Sequence, residues 1–202
     1  IGQIPSLALF SYPILMAADI LLFEPDLVPI GQDQVQHFEI VEELIKKFKS
    51  RYSYQFRIPE KEVFDIVVPG IDGQKMSKTY NNTIPIFDSE IDTRKACSKI
   101  VTDSKGINEP KDPNTCNIFK LYSLVEPNND LKISYEEGLS YGSAKGYLAN
   151  SINAYFLEAR KRKVNLESNK DYVLTKMYYN TGEIRDNLKD KICEIKKVIG
   201  LL

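Results

Sequence analysis

The sequence predicts an α/β segment followed by an all-α segment, and three observations carry that expectation. Two short apolar runs rich in β-branched residues, 27–30 and 64–68, each end close to a glycine and flank an amphipathic stretch. Beyond Asp88 the apolar residues recur at helical spacing instead. With 202 residues and 43% hydrophobic content, the chain can bury one sizeable core or two small ones.

Taken in order, Ser11 is a good N-cap, Pro13 suits a first helical turn, and Glu24-Pro25 stops the helix. Tyr12, Met16 and Asp19 then lie at i, i+4 and i+7 and share one face. A carboxylate in so apolar a helix is costly to bury unpaired, so Asp19 is expected to face water, a partner or a ligand. Leu27 to Ile30 reads as a short strand, and Gly31 permits the turn into a helix with the stripe Val35, Phe38, Val41, Leu44, Ile45 and Phe48. The run 64–68 reads as a second strand, followed by Pro69-Gly70 and a lysine-rich loop. Strand, turn, helix, strand, loop is the second half of a doubly wound nucleotide-binding, Rossmann-like fold, whose ligands sit beyond the carboxyl ends of the strands. Helices are predicted over 91–101, 117–125, 134–141, 144–164 and 181–199, broken at Asp112-Pro113, Glu126-Pro127 and the polar stretch 168–171. They are expected to pack as a helical bundle, with the boundary near residue 92.

The longest apolar run, 14–23, is interrupted by Asp19 and falls short of the roughly 20 residues a bilayer requires. Cys97, Cys116 and Cys193 are widely separated and suggest neither a zinc site nor a disulfide framework, as befits reduced thiols in a cytoplasmic setting. Residues 1–92 hold 8 Lys or Arg against 14 Asp or Glu, whereas residues 93–202 hold 19 against 14. The basic half suits either an RNA-contacting appendage or a helical domain kept soluble by its charge. Within it Arg160, Lys161, Arg162 and Lys163 form a helical basic run, either a solvated face or an RNA contact.

The stretch Gly73-Gln74-Lys75-Met76-Ser77-Lys78-Thr79 places two ammonium groups and a hydroxyl in one short loop. Lys75 and Lys78 can neutralise a polyphosphate while Ser77 and backbone N–H groups add neutral hydrogen bonds. On spacing alone the stretch equally suits a solvated surface loop. Asp33 and Gln34 could cap their helix, and His37, the only histidine, reads as structural.

Lys75 to Thr79 resembles the KMSKS loop of class I aminoacyl-tRNA synthetases, with Thr79 where the family usually has a serine. Tyr12-Pro13-Ile14-Leu15-Met16-Ala17-Ala18-Asp19 is similar to the amino-acid-binding helix of bacterial-type tryptophanyl-tRNA synthetases. Gly31-Gln32-Asp33-Gln34 is similar to their G-x-D-Q turn, with Gln32 where an acidic residue is more usual. The resemblance implies a tryptophan site in which Asp19 accepts the indole N–H, Met16 packs on the ring beside Tyr12, and Gln34 holds the amino acid's polar end. It implies an ATP site made by Gly31, Asp33, Lys75, Met76, Ser77 and Lys78, with Lys75, Ser77 and Lys78 catalytic and Mg²⁺ held through the phosphates. It further implies tRNA(Trp) as partner, contacted by residues 160–163, and a homodimer. Residues 1–92 would be the catalytic half and 93–202 the helical anticodon-binding part. No HIGH-type segment is present and the chain opens on Ile1-Gly2-Gln3-Ile4-Pro5, so a C-terminal fragment, inactive alone, is expected. Tyrosyl-tRNA synthetases share the loop and the turn, a nucleotidyltransferase or an RNA-binding module stays open, and Met16 to Asp19 favours tryptophan.

Overall fold

The structure, a computed structural model, describes residues 6–126, 128 and 131–202; residues 1–5 and Pro127, at the expected Glu126-Pro127 break, lie outside that set. The chain divides into two compact units, residues 1–66 with 174–202, and residues 67–173.

In the first unit, α1 (Leu7–Phe23) begins earlier than expected. Ser6 rather than Ser11 is the N-cap, its Oγ accepting the Leu9 N–H at 3.1 Å, and Ser11 returns its hydroxyl to Leu7 O at 2.8 Å. Pro13 thus lies inside the helix, where it removes the donor that Leu9 O would take, at a cost of about 3 kcal/mol. Offsetting that cost, Ala17, Ile20 and Leu21 form one buried stripe against the following helix.

That helix, α2 (Val35–Tyr52), links β1 (Leu27–Gly31) to β2 (Glu60–Phe64), which pair in parallel from Leu27 opposite Glu60 to Gly31 opposite Phe64. A parallel pair requires such a crossover. Phe38, Val41 and Ile45 of the expected stripe are fully buried, each contributing about 1.5–3 kcal/mol, while Val35, Leu44 and Phe48 pack at the margin. The second strand, however, is not 64–68. β1 is five residues long and its chain leaves the sheet after Gly31, so residues 65–68 find no partner on β1. α7 (Lys170–Val198) starts about three turns before the expected position 181, because nothing in 170–180 breaks a helix and Gly182 is absorbed in its interior. Its Ile195 packs on the same core and its Lys191 reaches Glu24 at 2.8 Å.

In the second unit α3 (Glu90–Ser98) and α6 (Tyr141–Ser168) open on Ser89 and Ser140, whose hydroxyls accept from Asp92 N and Ser143 N. α4 (Asn117–Val125) has the bounds expected, whereas α5 (Lys132–Glu136) ends earlier than predicted, before Gly138. The break expected over 168–171 shrinks to Asn169. α6 packs on α3 and α4 around Cys97, Ile100, Ile118, Leu121, Tyr135, Leu148 and Ile152. Burial pushes the Cys97 thiol up to about 11. Lys111, 2% exposed, gives its Nζ to the carbonyls of Gly106, Ile107 and Glu109 at 3.0, 3.2 and 2.8 Å and lies over the Tyr141 ring.

Candidate functional site

The residues singled out for chemistry fall in three groups, one in the first unit and two in the second, and each group has its own geometry. In the first unit they lie on α1 and at the end of β1. Asp19 is exposed on α1, Met16 is half-buried at the edge of the core, and Tyr12 precedes Met16 by one helical turn. Gly31 has an ordinary φ of −76°, so the turn itself does not demand glycine. The close approach does: a Cβ there would stand 2.7 Å from Asp33 Oδ1, which folds back over the strand end.

His37 ties this group together. Its Nε2 lies 2.5 Å from the Tyr12 hydroxyl and its Nδ1 lies 2.9 Å from Gln34 Oε1, while Gln34 Nε2 lies 3.3 Å from Asp33 Oδ2. One proton arrangement satisfies every contact: Tyr12 O–H donates to Nε2, Nδ1–H donates to the Gln34 carbonyl oxygen, and the Gln34 amide donates to Asp33. The amide end of Gln34 is thereby fixed as a donor, suited to an anionic ligand group. The structural role expected of His37 is thus specific, linking α1 to the turn before α2.

In the second unit the lysine loop is a miniature hairpin. Pro69 and Lys75 form an antiparallel bridge, with Gly70 N–H to Gln74 O at 2.7 Å and Met76 N–H to Val68 O at 2.9 Å, and Gly73 turns the tip at φ +82°. Ser77 caps the single 3₁₀ turn Lys78–Tyr80, its Oγ accepting from Thr79 N at 3.2 Å. Lys75 and Lys78 are exposed, whereas Met76 packs against the core. Two ammonium groups on a hairpin anchored by its own backbone concentrate positive charge that can neutralise phosphate.

The basic run is less uniform than its sequence. Arg160 turns inward, donating from Nε to Ile86 O, from one terminal nitrogen to Asn153 Oδ1 and from the other to Thr93 Oγ1, at 2.6, 2.7 and 2.8 Å. Lys161 pairs with Glu158 and Lys163 with Glu167, one turn away on the same helix, and Arg162 is exposed. Sequence reasoning passed over Asn82, which is 2% exposed at the foot of the lysine loop. The signal available was a tandem Asn81-Asn82 directly after the loop, since asparagine is the side chain that most nearly copies a peptide group.

Comparison with known proteins places these features in a family context. The family described as tRNA synthetases class I (W and Y) matches residues 2–157. A tryptophan–tRNA ligase of Fusobacterium nucleatum is 41% identical over 200 residues, covering 96% of this chain and 62% of that protein. The crystal structure of tryptophanyl-tRNA synthetase from Campylobacter jejuni complexed with ADP and tryptophan superposes with a TM-score of 0.83 at 42% identity, over 99% of this chain and 65% of that one. A tyrosyl-tRNA synthetase from Aeropyrum pernix shares only the fold, with a TM-score of 0.52 and 16% identity over 77% of this chain and 49% of that one. The chain therefore spans 62% and 65% of the length of these two bacterial relatives.

Proposed function

The chain belongs to the class I tRNA synthetases of the W and Y type, and from that premise we propose that the complete protein carrying it is a tryptophan–tRNA ligase. Tryptophan's carboxylate oxygen attacks the α-phosphorus of ATP, the bond from that phosphorus to the α,β-bridging oxygen breaks, and tryptophanyl-adenylate and pyrophosphate form. The acyl group then passes to the terminal ribose of tRNA(Trp). The observation that carries the amino-acid assignment is Asp19, an exposed carboxylate on an apolar helix beside Met16 and Tyr12. It offers an acceptor for the indole N–H, and a site built around such a hydrogen bond rejects side chains that lack the donor. The fixed amide of Gln34 suits the substrate's carboxylate. ADP and tryptophan in the Campylobacter neighbour support the same pair of ligands here.

Catalysis is positioning plus neutralisation, with no side-chain nucleophile. Lys75 and Lys78 meet the phosphate charge, Ser77 and the loop's N–H groups add neutral bonds, and Gly31 and Asp33 take the ribose. The cationic loop suits the phosphates themselves, so Mg²⁺ would arrive on ATP and supply further charge neutralisation between phosphate oxygens. Residues 1–92 serve the small substrates; residues 93–202 serve tRNA, with Lys161, Arg162 and Lys163 offered to its backbone and Arg160 seating them. We place the enzyme in the cytoplasm as a homodimer. ATP–pyrophosphate exchange by the complete protein, run with tryptophan and with tyrosine, tests the reading; exchange driven by tyrosine alone would overturn it.

A further inference from the structure

Resting on that function, we infer that Asn82 is the positioning residue that sets the working geometry of the lysine loop. Its Oδ1 accepts the Ser77 N–H at 2.7 Å, and its Nδ2 donates to Lys75 O at 3.1 Å and to Asp72 Oδ1 at 2.8 Å. Its own carbonyl takes the Ile71 N–H at 2.9 Å. One side chain therefore holds the backbone on both sides of Met76, at the two residues whose side chains are offered to phosphate.

The surroundings are shaped for this amide. A Cβ on Gly70 would fall 2.4 Å from Asn82 Nδ2 and 2.8 Å from Asn82 O, so only glycine lets the asparagine in. Asp72 Oδ1, which receives Asn82, also accepts the Gln74 N–H at 3.0 Å, extending the seat to the residue before Lys75. A buried amide is tolerated only when its polar atoms are paired, and here both N–H groups and the oxygen are spent on the loop. Asn82 thus acts on the chemistry through Lys75, Ser77 and Lys78, by fixing where their backbone runs.

The test is Asn82→Ala in the complete protein, assayed by tryptophan-dependent ATP–pyrophosphate exchange well below its melting temperature. The expected result is a fall in kcat of roughly tenfold to a hundredfold, the scale of misplacing catalytic groups by about 1 Å, with KM for tryptophan unchanged. Introduced into a Lys75→Ala/Lys78→Ala background, the same substitution should cost less than about threefold more, because the groups it positions are gone. In the 202-residue chain, hydrogen exchange at the Ser77 amide should quicken while α4 and α6 keep their protection. A kcat per folded molecule equal to the unsubstituted rate overturns the inference and leaves the function standing. So does a penalty that multiplies in full on the double-lysine background, the mark of a residue acting elsewhere. Lack of exchange in the unsubstituted protein overturns the function and this inference with it.

Discussion

Replacing Arg160 by alanine separates the two lives of a basic run, as solvated charge and as structure. The guanidinium donates to acceptors on three separate segments, Ile86 in the stem after the lysine loop, Thr93 on α3 and Asn153 on α6. Thr93 is fully buried and Asn153 is 5% exposed, so their freed oxygens would not regain water without rearrangement. Three hydrogen bonds at about 1 kcal/mol net each, raised because the donor is charged, total roughly 3 to 5 kcal/mol. At about 2–4 °C per kcal/mol for a chain of this size, the melting temperature falls by roughly 6–20 °C. Arg160→Lys recovers little, since one ammonium cannot span acceptors that a planar fork reaches together. Exposed Arg162→Ala, two residues on, stays within about 0.5 kcal/mol of the unsubstituted chain. Thermal and urea unfolding of the three variants measure this directly. If Arg160→Ala melts with Arg162→Ala, the inward fork contributes nothing and the run is a uniform solvated face.

Alanine at Lys75 or Lys78 in the complete protein should lower the activation rate by about 10² and leave tryptophan affinity nearly unchanged, measured by exchange and equilibrium binding; an unchanged rate returns the loop to mere surface. Asp19→Ala should narrow the preference for tryptophan over an analogue with sulfur in place of the ring nitrogen, which has no proton for the carboxylate to accept, and a preference that stays at full size makes Asp19 structural. Partial burial pushes the Glu24 carboxyl up, but the Lys191 ammonium and the Arg57 N–H outweigh it and hold it below 4.5. Its stabilisation is therefore present above the ordinary carboxylate value and lost as pH falls through the lowered one, so the urea midpoints of Glu24→Gln and the unsubstituted chain should differ at pH 7 and converge in acid; a gap of constant size refutes the pairing. Cys97, enclosed and with its thiol pushed up to about 11, should resist a thiol reagent at pH 8 that labels Cys193, until the chain unfolds.

The parts of the fold legible in the sequence are those in which one periodic signal meets one partner. The stripe of α2 is buried as its spacing demands, and α4 runs from Asn117 to Val125 as expected, because Ile118, Phe119, Leu121 and Tyr122 face a single core. Boundaries failed where two signals compete. Ser6 and Ser11 can both cap α1; Ser6 takes the cap and Ser11 returns its hydroxyl to Leu7 O, which leaves a helix with an internal proline. Residues 64–68 have the composition of a strand, but a strand is a relation between two segments, and β1 offers no backbone beyond Gly31. The candidate site divides in the same way. Lys75, Ser77 and Lys78 stand out because charge is local and visible, whereas Asn82 works through backbone groups that no composition reveals. Arg160 shows the converse, since four basic residues in a row say nothing of which one points inward.

Lys111 gives the second unit something that its surface ion pairs cannot. The ammonium is enclosed by three peptide carbonyls and an aromatic face, much as a small metal cation would be, and the chain carries that cation covalently. Counter-ions in brine compete with a carboxylate for a lysine, and acid discharges the carboxylate; peptide dipoles neither exchange nor titrate. The loop over 106–111 is therefore fastened by a closure indifferent to both salt and acidity, whereas the tRNA contact proposed for the same unit rests on the most salt-sensitive of forces.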